Sequence, residues 1–229
     1  MLKNVLCMVL ALSLMFVFPV MAAATDTVSV ENFKTFDDVI QFLNDKYDMT
    51  LRQMEGDDYP DPYVERTPEE LRAFYESKEA FILKSKALSE IEEEFGCIDY
   101  GNPKVRERLA ALWPENSPEH NPENSSEAPA RAPYAKTQYC YFPIGGGIAL
   151  KSSCNWHPTG SYTVYSSIND IVGATASDRT SFKVSGSSYS LSSDKRTCYV
   201  TVKGSHVDAD GYNDLVVRTY RDIVFSAAD

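Results

Sequence analysis

Hydrophobic and polar residues alternate through the last third of the chain, from about Tyr134 to Phe225. Short segments rich in Ser, Thr and Tyr are separated there by Gly, Asn and Asp, which are typical turn residues. Alternation with a period of two predicts β-strands with one buried and one exposed face. The predicted strands are Tyr139–Ile144, Ile148–Ser152, Ser161–Ile168, Thr180–Ser185, Ser188–Ser192, Arg196–His206 and Asp214–Phe225.

This number of short strands within roughly 95 residues favours an antiparallel β-sandwich. Cys140, Trp156 and Cys198 follow one another in the order seen in immunoglobulin-type domains, so an immunoglobulin-like arrangement is one form of this prediction. Arg196 stands two residues before Cys198, where such domains have a tyrosine. We therefore interpret the similarity as one of architecture.

The preceding region has helical periodicity. Thr35 with Asp38, and Thr67 with Glu70, form capping-box patterns that predict two helix starts. A third helix is predicted to start at Asn102-Pro103. The helix from Thr67 to Phe95 has a near-heptad apolar stripe of Leu71, Phe74, Phe81, Leu88, Ile91 and Phe95. Lys78 and Ser85 interrupt this stripe, so we expect packing against neighbouring elements and not a long coiled coil.

A segment rich in Pro, Glu, Asn and Ser, residues 114–133, separates the two regions and is predicted to be a linker without a core of its own. The predicted fold class is therefore α+β in two parts. Residues 25–113 form an acidic helical region, and residues 134–229 form the β-sandwich domain.

The N-terminus predicts export. Lys3 precedes a nearly unbroken apolar run from Val5 to Val20, and Ala22-Ala23-Ala24 fits a cleavage site. We predict a signal peptide at residues 1–24 and a secreted, extracellular or cell-surface protein from a bacterium. Since no later apolar run has spanning length, no integral membrane segment is expected after removal of the signal.

Charge is unevenly distributed along the 229 residues, whose formal net charge is −11. Residues 25–133 have 12 Lys or Arg against 25 Asp or Glu, whereas residues 134–229 have 9 against 8. Binding to nucleic acid needs dense positive charge, so we do not expect a nucleic-acid partner. The acidic half is interpreted as a solvated surface.

Four cysteines follow the signal, and an even number in an exported chain predicts two disulfides. We favour Cys140–Cys198 within the β region and Cys97–Cys154 between the two regions, although four cysteines allow three connectivities.

Asp208, Asp210 and Asp214 surround Gly211 at alternate positions and are candidate calcium ligands. In the EF-hand spacing, His206 and Val217 would fall where hard oxygen ligands are required. A polar hairpin turn explains the same residues and is our preferred interpretation.

No residue set indicates catalysis. The histidines after the signal, His120, His157 and His206, accompany no nucleophile motif, and no cofactor motif is present. Surfaces rich in Tyr, Ser and Gly are typical of recognition. We predict a non-enzymatic binding protein for an unidentified protein or carbohydrate ligand. The alternatives are a secreted hydrolase using Asp208, Asp210, His206 or Cys154, and a helical pro-segment or inhibitor that masks the β domain.

Overall fold

The computed structural model describes residues 32–54, 59–113, 133–157 and 162–228. The predicted signal peptide and nearly all of the predicted linker lie outside these residues. The described part contains helices α1 (Phe36–Tyr47), α2 (Pro68–Phe95) and α3 (Pro103–Leu112). Both predicted capping boxes are formed, by Thr35 with Asp38 and by Thr67 with Glu70. The predictions of these helices are confirmed.

The β region forms two sheets. Strands β3 (Tyr134–Tyr141), β4 (Gly147–Trp156) and β5 (Thr163–Ala174) make an antiparallel three-stranded sheet. Strands β6 (Ser181–Leu191), β7 (Thr197–Val207), β8 (Tyr212–Asn213) and β9 (Arg218–Ser226) belong to a second sheet, in which β7 pairs with β6, β8 and β9. Strand β7 buries alternate side chains, among them Cys198, Val200 and Val202, as the period of two predicts, whereas Phe182 is the only buried residue of β6.

Two short strands from the N-terminal region complete the second sheet. Strand β1 (Arg52–Gln53) pairs antiparallel with β8, and β2 (Ile98–Asp99) pairs parallel with β9. The described sheet therefore has six strands and includes residues from both sides of the predicted linker. The coarse prediction, a mixed α+β protein with its strands in two sheets, is confirmed.

One hydrophobic cluster joins the helices to the sheets. Leu71, Ile82 and Leu88 of α2 belong to the same cluster as Val200 and Tyr220 of the second sheet. At the centre, the Phe142 ring stacks on Tyr220 at 3.9 Å between ring centroids, and Tyr100 lies on Tyr220 at 6.2 Å. Helix α2 is thus part of the core of the described structure.

The β3–β4 turn depends on glycine. Gly145 and Gly146 have positive φ angles of 107° and 66°, which L side chains rarely adopt. A Cβ atom on Gly146 would collide with the backbone of Ser181 and Phe182 on β6. The glycine run therefore lets this turn pack directly on the second sheet.

Candidate functional site

The buried charges lie between α2 and the loop after β7. The Lys78 side chain is fully buried, and its Nζ lies 2.5 Å from one carboxylate oxygen each of Asp208 and Asp210. Asp210 accepts a hydrogen bond from Lys78, whereas Asp208 Oδ2 has an ion pair without hydrogen-bond geometry among the described residues. The Lys78 ammonium also lies 4.8 Å from the Phe74 ring centroid and 5.6 Å from that of Tyr212. This lysine therefore fixes helix α2 to the loop.

A second buried cation, Arg218 of β9, contacts the same helix further along. The guanidinium of Arg218 is fully buried and lies 2.9 Å from Glu92 and 3.3 Å from Asp214. It also donates hydrogen bonds to the Ser85 carbonyl and to the Ser89 hydroxyl. The Ser85 hydroxyl donates to Asp214. Glu92 and Asp214 offset the buried charge of Arg218, while its Nε has no hydrogen-bond partner among the described residues.

These contacts place the three candidate calcium ligands. Asp208 and Asp210 face Lys78, and Asp214 faces Arg218, so each carboxylate has a protein cation as its neighbour. Asp208 Oδ1 also accepts the backbone N–H groups of Asp210 and Tyr212, which is the bonding of a polar turn. Within the described ranges, no group of three or more His, Cys, Asp or Glu side chains is arranged to hold a metal ion. Calcium binding stays a prediction, and the contacts support the turn interpretation.

His206 has a structural environment. It is 1% exposed, its Nδ1 lies 2.9 Å from the Gly145 carbonyl, and its Nε2 lies 2.6 Å from the Tyr220 hydroxyl. A carbonyl can only accept, so Nδ1 donates to Gly145 and Nε2 accepts from Tyr220. Burial, with a smaller contribution from Arg218, lowers the pKa of His206 to about 3. The imidazole is therefore neutral at ordinary pH, with both nitrogens engaged.

The disulfide prediction is wrong for this structure, because Cys97, Cys140, Cys154 and Cys198 are all free thiols. The two cysteines of the first pair lie in different sheets. Cys140 of β3 is in register with Ile148 of the three-stranded sheet, whereas Cys198 of β7 is in register with Phe225 of the second sheet.

The second predicted pair, Cys97–Cys154, is separated in a similar way. Burial raises the pKa of Cys97, and the nearby Arg221 opposes this shift. Cys154 lies near Lys136, whose ammonium donates to the carbonyls of Ser226 and Ala227 at the far end of β9. Cys97, Cys154 and Cys198 serve as buried packing groups, and Cys140 is half-buried. Burial raises the pKa of Cys140 to about 12 and that of Cys198 to about 11.

The outward side of the three-stranded sheet has a different character. Tyr139 and Tyr141 of β3 point outward, and their rings are 6.1 Å apart with only 3° between their planes. Their register partners on β4 are Ala149 and Gly147. Ala149 is only 4% exposed although it points outward, and a Cβ atom on Gly147 would touch the Tyr141 ring. We conclude that the two rings lie across these small residues, while Tyr141 keeps 40% of its surface exposed.

Polar groups continue this surface along β4 and β5. Lys151 and Asp170 are register partners with exposed side chains of opposite charge. Asn169 donates to the Ser153 hydroxyl at 3.1 Å and accepts from the Ser167 hydroxyl at 2.8 Å. We call this surface the tyrosine face and define it by Tyr139, Tyr141, Lys151, Ser153, Asn169 and Asp170. It combines two parallel aromatic rings with oriented donors and acceptors.

Sequence reasoning missed the role of Lys78 and did not single out Arg218. The available signal was the interruption of the α2 stripe by Lys78 and Ser85, which are both buried in the charge network. Strand alternation placed Tyr139 on a β-strand but did not indicate which side of the sheet faces outward.

None of the described helices has the length and apolar character needed to cross a membrane. Comparison of the chain with protein-family models, with curated proteins and with solved structures gives no significant match.

Proposed function

We propose that this chain is an exported, non-enzymatic binding protein that contacts an extracellular ligand through the tyrosine face. In this proposal the two sheets act as a sandwich, and the three-stranded layer presents the ligand-binding side. The helical region supports the opposite sheet through Lys78 and Arg218. The export signal, the bacterial source and a protein or carbohydrate ligand belong to the same proposal.

The observation that carries the proposal is the parallel, outward placement of Tyr139 and Tyr141. Tyrosine provides a large contact area with few rotatable bonds, so its immobilisation on binding costs little entropy. Aromatic side chains on an otherwise polar sheet are typical of recognition surfaces. The neighbouring Ser153–Asn169–Ser167 chain adds hydrogen-bonding groups whose orientation is already fixed.

The hydrolase alternative has less support from the contacts. A general base must reach its nucleophile and exchange protons with it. His206 uses both ring nitrogens for the Gly145 carbonyl and the Tyr220 hydroxyl. Cys154 is fully buried, and its Sγ lies 3.8 Å from the Ser152 hydroxyl. These groups are explained by packing.

Solid-phase binding tests the proposal directly. Labelled protein comprising residues 25–229 would be applied to a panel of immobilised extracellular proteins and polysaccharides. We expect binding to at least one surface, and loss of that binding in the Tyr139→Ala/Tyr141→Ala variant. The matched control is Tyr189→Ala/Tyr199→Ala, which removes two exposed tyrosines from the other sheet. Binding that survives in the first variant and disappears in the control would contradict the proposal.

A further inference from the structure

We propose that the ligand of the tyrosine face is a neutral polysaccharide, with sugar rings lying on Tyr139 and Tyr141. This inference rests on the proposed function and specifies its ligand class. Three properties of the face carry it: the orientation of the rings, the balance of charge and the spacing of the polar groups.

The ring orientation favours a flat, rigid ligand. The two tyrosine rings are parallel within 3° with their centroids 6.1 Å apart, and Tyr141 keeps 40% of its surface exposed, so the pair offers an aligned aromatic surface to a flat ligand. The face of an aromatic ring carries partial negative charge, and the C–H groups on one side of a pyranose ring carry slight positive charge. A sugar therefore stacks on such a ring without displacing it. A peptide side chain would instead need a concave pocket, as peptide-recognition grooves provide.

The charge on the face favours an uncharged ligand. Lys151 and Asp170 are directly opposite each other on neighbouring strands, so the charged pair on this face sums to zero. An acidic polymer would meet Asp170, and a basic peptide would meet Lys151. A neutral ligand with many hydroxyl groups can bond to both, because the ammonium donates to an oxygen and the carboxylate accepts from a hydroxyl.

The spacing of the polar groups favours a chain over a single sugar. Ala149, beneath the Tyr139 ring, and Ser153 are four positions apart on β4, which is roughly 13 Å. The Ser153–Asn169–Ser167 chain begins there, so a ligand that contacts both the rings and this chain must extend over several sugar units. Nothing at either end of the tyrosine face selects the terminal sugar of a polysaccharide, so an internal stretch of the polymer fits.

Packing alone would explain why Tyr141 lies against Gly147, since a tyrosine often covers a glycine on the neighbouring strand. The two roles of Tyr141 make different predictions. A packing residue changes the melting temperature when it is removed, whereas a stacking residue changes the affinity for a sugar. Replacement of Tyr141 by phenylalanine keeps both the contact with Gly147 and the aromatic surface for stacking. It therefore serves as the conservative variant.

Affinity gel electrophoresis would test the inference, using hydroxyethylcellulose, xylan, galactomannan and dextran as neutral probes and polygalacturonate as the acidic probe. We expect at least one neutral polymer to retard the protein. Tyr141→Ala should weaken that binding by roughly tenfold, and Tyr139→Ala/Tyr141→Ala by more, while Tyr139→Phe/Tyr141→Phe stays within about threefold. Melting temperatures measured in parallel would show whether each variant is folded, and Tyr141→Ala alone would be used if the double variant unfolds.

Several results would overturn the inference. These are retardation by polygalacturonate only, equal retardation of the wild type and the folded alanine variants, or no retardation by any neutral polymer. If the neutral polymers fail while an immobilised protein is bound through Tyr139 and Tyr141, the proposed function stands and the polysaccharide assignment is wrong. If both kinds of ligand fail, both proposals are wrong.

Discussion

Replacing Lys78 by methionine would test the buried charge network. Methionine keeps the unbranched apolar shape of the lysine stem and removes the ammonium group. Asp208, which is 5% exposed, would lose the cation that lies 2.5 Å from its oxygen, and Asp210 would lose a hydrogen bond. We expect Lys78→Met to destabilise the protein strongly because it leaves a buried carboxylate without a counter-charge.

The magnitude follows from the burial of the pair. Removing one partner of a buried ion pair costs about 3–5 kcal/mol of folding free energy. This is a large fraction of the total stability of a domain, which is typically about 5–15 kcal/mol. With a urea dependence of about 2 kcal/mol per molar, the unfolding midpoint should fall by about 2 M.

Urea denaturation at several pH values would provide the measurement. Burial raises the pKa of Asp208 above its ordinary value, and Lys78 opposes this shift. Removing Lys78 therefore raises this pKa further, and the folded state then holds a proton that the unfolded state releases. The stability of Lys78→Met should fall as the pH rises through that window. The difference from the wild type should be largest near pH 7 and smallest near pH 4.

Two further variants make the test specific. Lys84→Met applies the same substitution six residues along the same helix and should change the stability by less than about 0.5 kcal/mol. Lys78→Met/Asp208→Asn should recover much of the loss, since asparagine can still accept the backbone N–H groups of Asp210 and Tyr212. A cost below about 1 kcal/mol for Lys78→Met, or a cost that does not change with pH, would refute the reasoning.

Three other predictions concern the packing of the β region. Gly146→Ala should lower the free energy of unfolding in urea by about 2–4 kcal/mol, because the φ of Gly146 is positive and a Cβ atom there would meet the β6 backbone. The control Gly186→Ala should lower it by less than about 1 kcal/mol, because Gly186 has open space around it. Equal losses in the two variants would contradict this prediction. The pKa of His206 is lowered to about 3, so the stability of the wild type should fall as the pH drops from about 6.5 towards 3. His206→Gln should flatten this dependence. An unchanged slope of stability against pH in the variant would show that another group titrates. Alkylation of the unfolded, unreduced mature protein should modify all four cysteines as seen by intact mass, whereas two or fewer modified cysteines would indicate a disulfide.

Local signals in the sequence were sufficient for the helices, whereas the long strands have other bounds than predicted. The segments Thr180–Ser185 and Ser188–Ser192 form one strand, β6, and β5 continues to Ala174. Thr35 and Thr67 form their capping boxes. Strands β1 and β2 were not predictable, because two residues have no periodicity of their own. Arg52 becomes part of a strand only through pairing with β8, and Ile98 only through pairing with β9. Such pairing is a tertiary property.

The site residues show a similar limit. Lys78 and Ser85 stood out only as interruptions of an apolar stripe, and the sequence did not show that Asp208 and Asp214 would meet them from the other side of the molecule. Cysteine number alone predicted disulfides, but the four cysteines are free thiols in the structure. The parallel arrangement of the two tyrosines became visible only with the sheet register, which aligns them with Ala149 and Gly147.

The most direct measurement of the central claim is an NMR titration of tyrosine-labelled protein with an oligosaccharide from the polymer that binds best. We expect the ring signals of Tyr139 and Tyr141, assigned through their phenylalanine variants, to shift with saturation. We also expect the C–H signals of the sugar to move upfield through the ring currents. Shifts confined to Tyr189 and Tyr199, or unchanged tyrosine signals at saturating ligand, would contradict the claim that the tyrosine face is the binding surface.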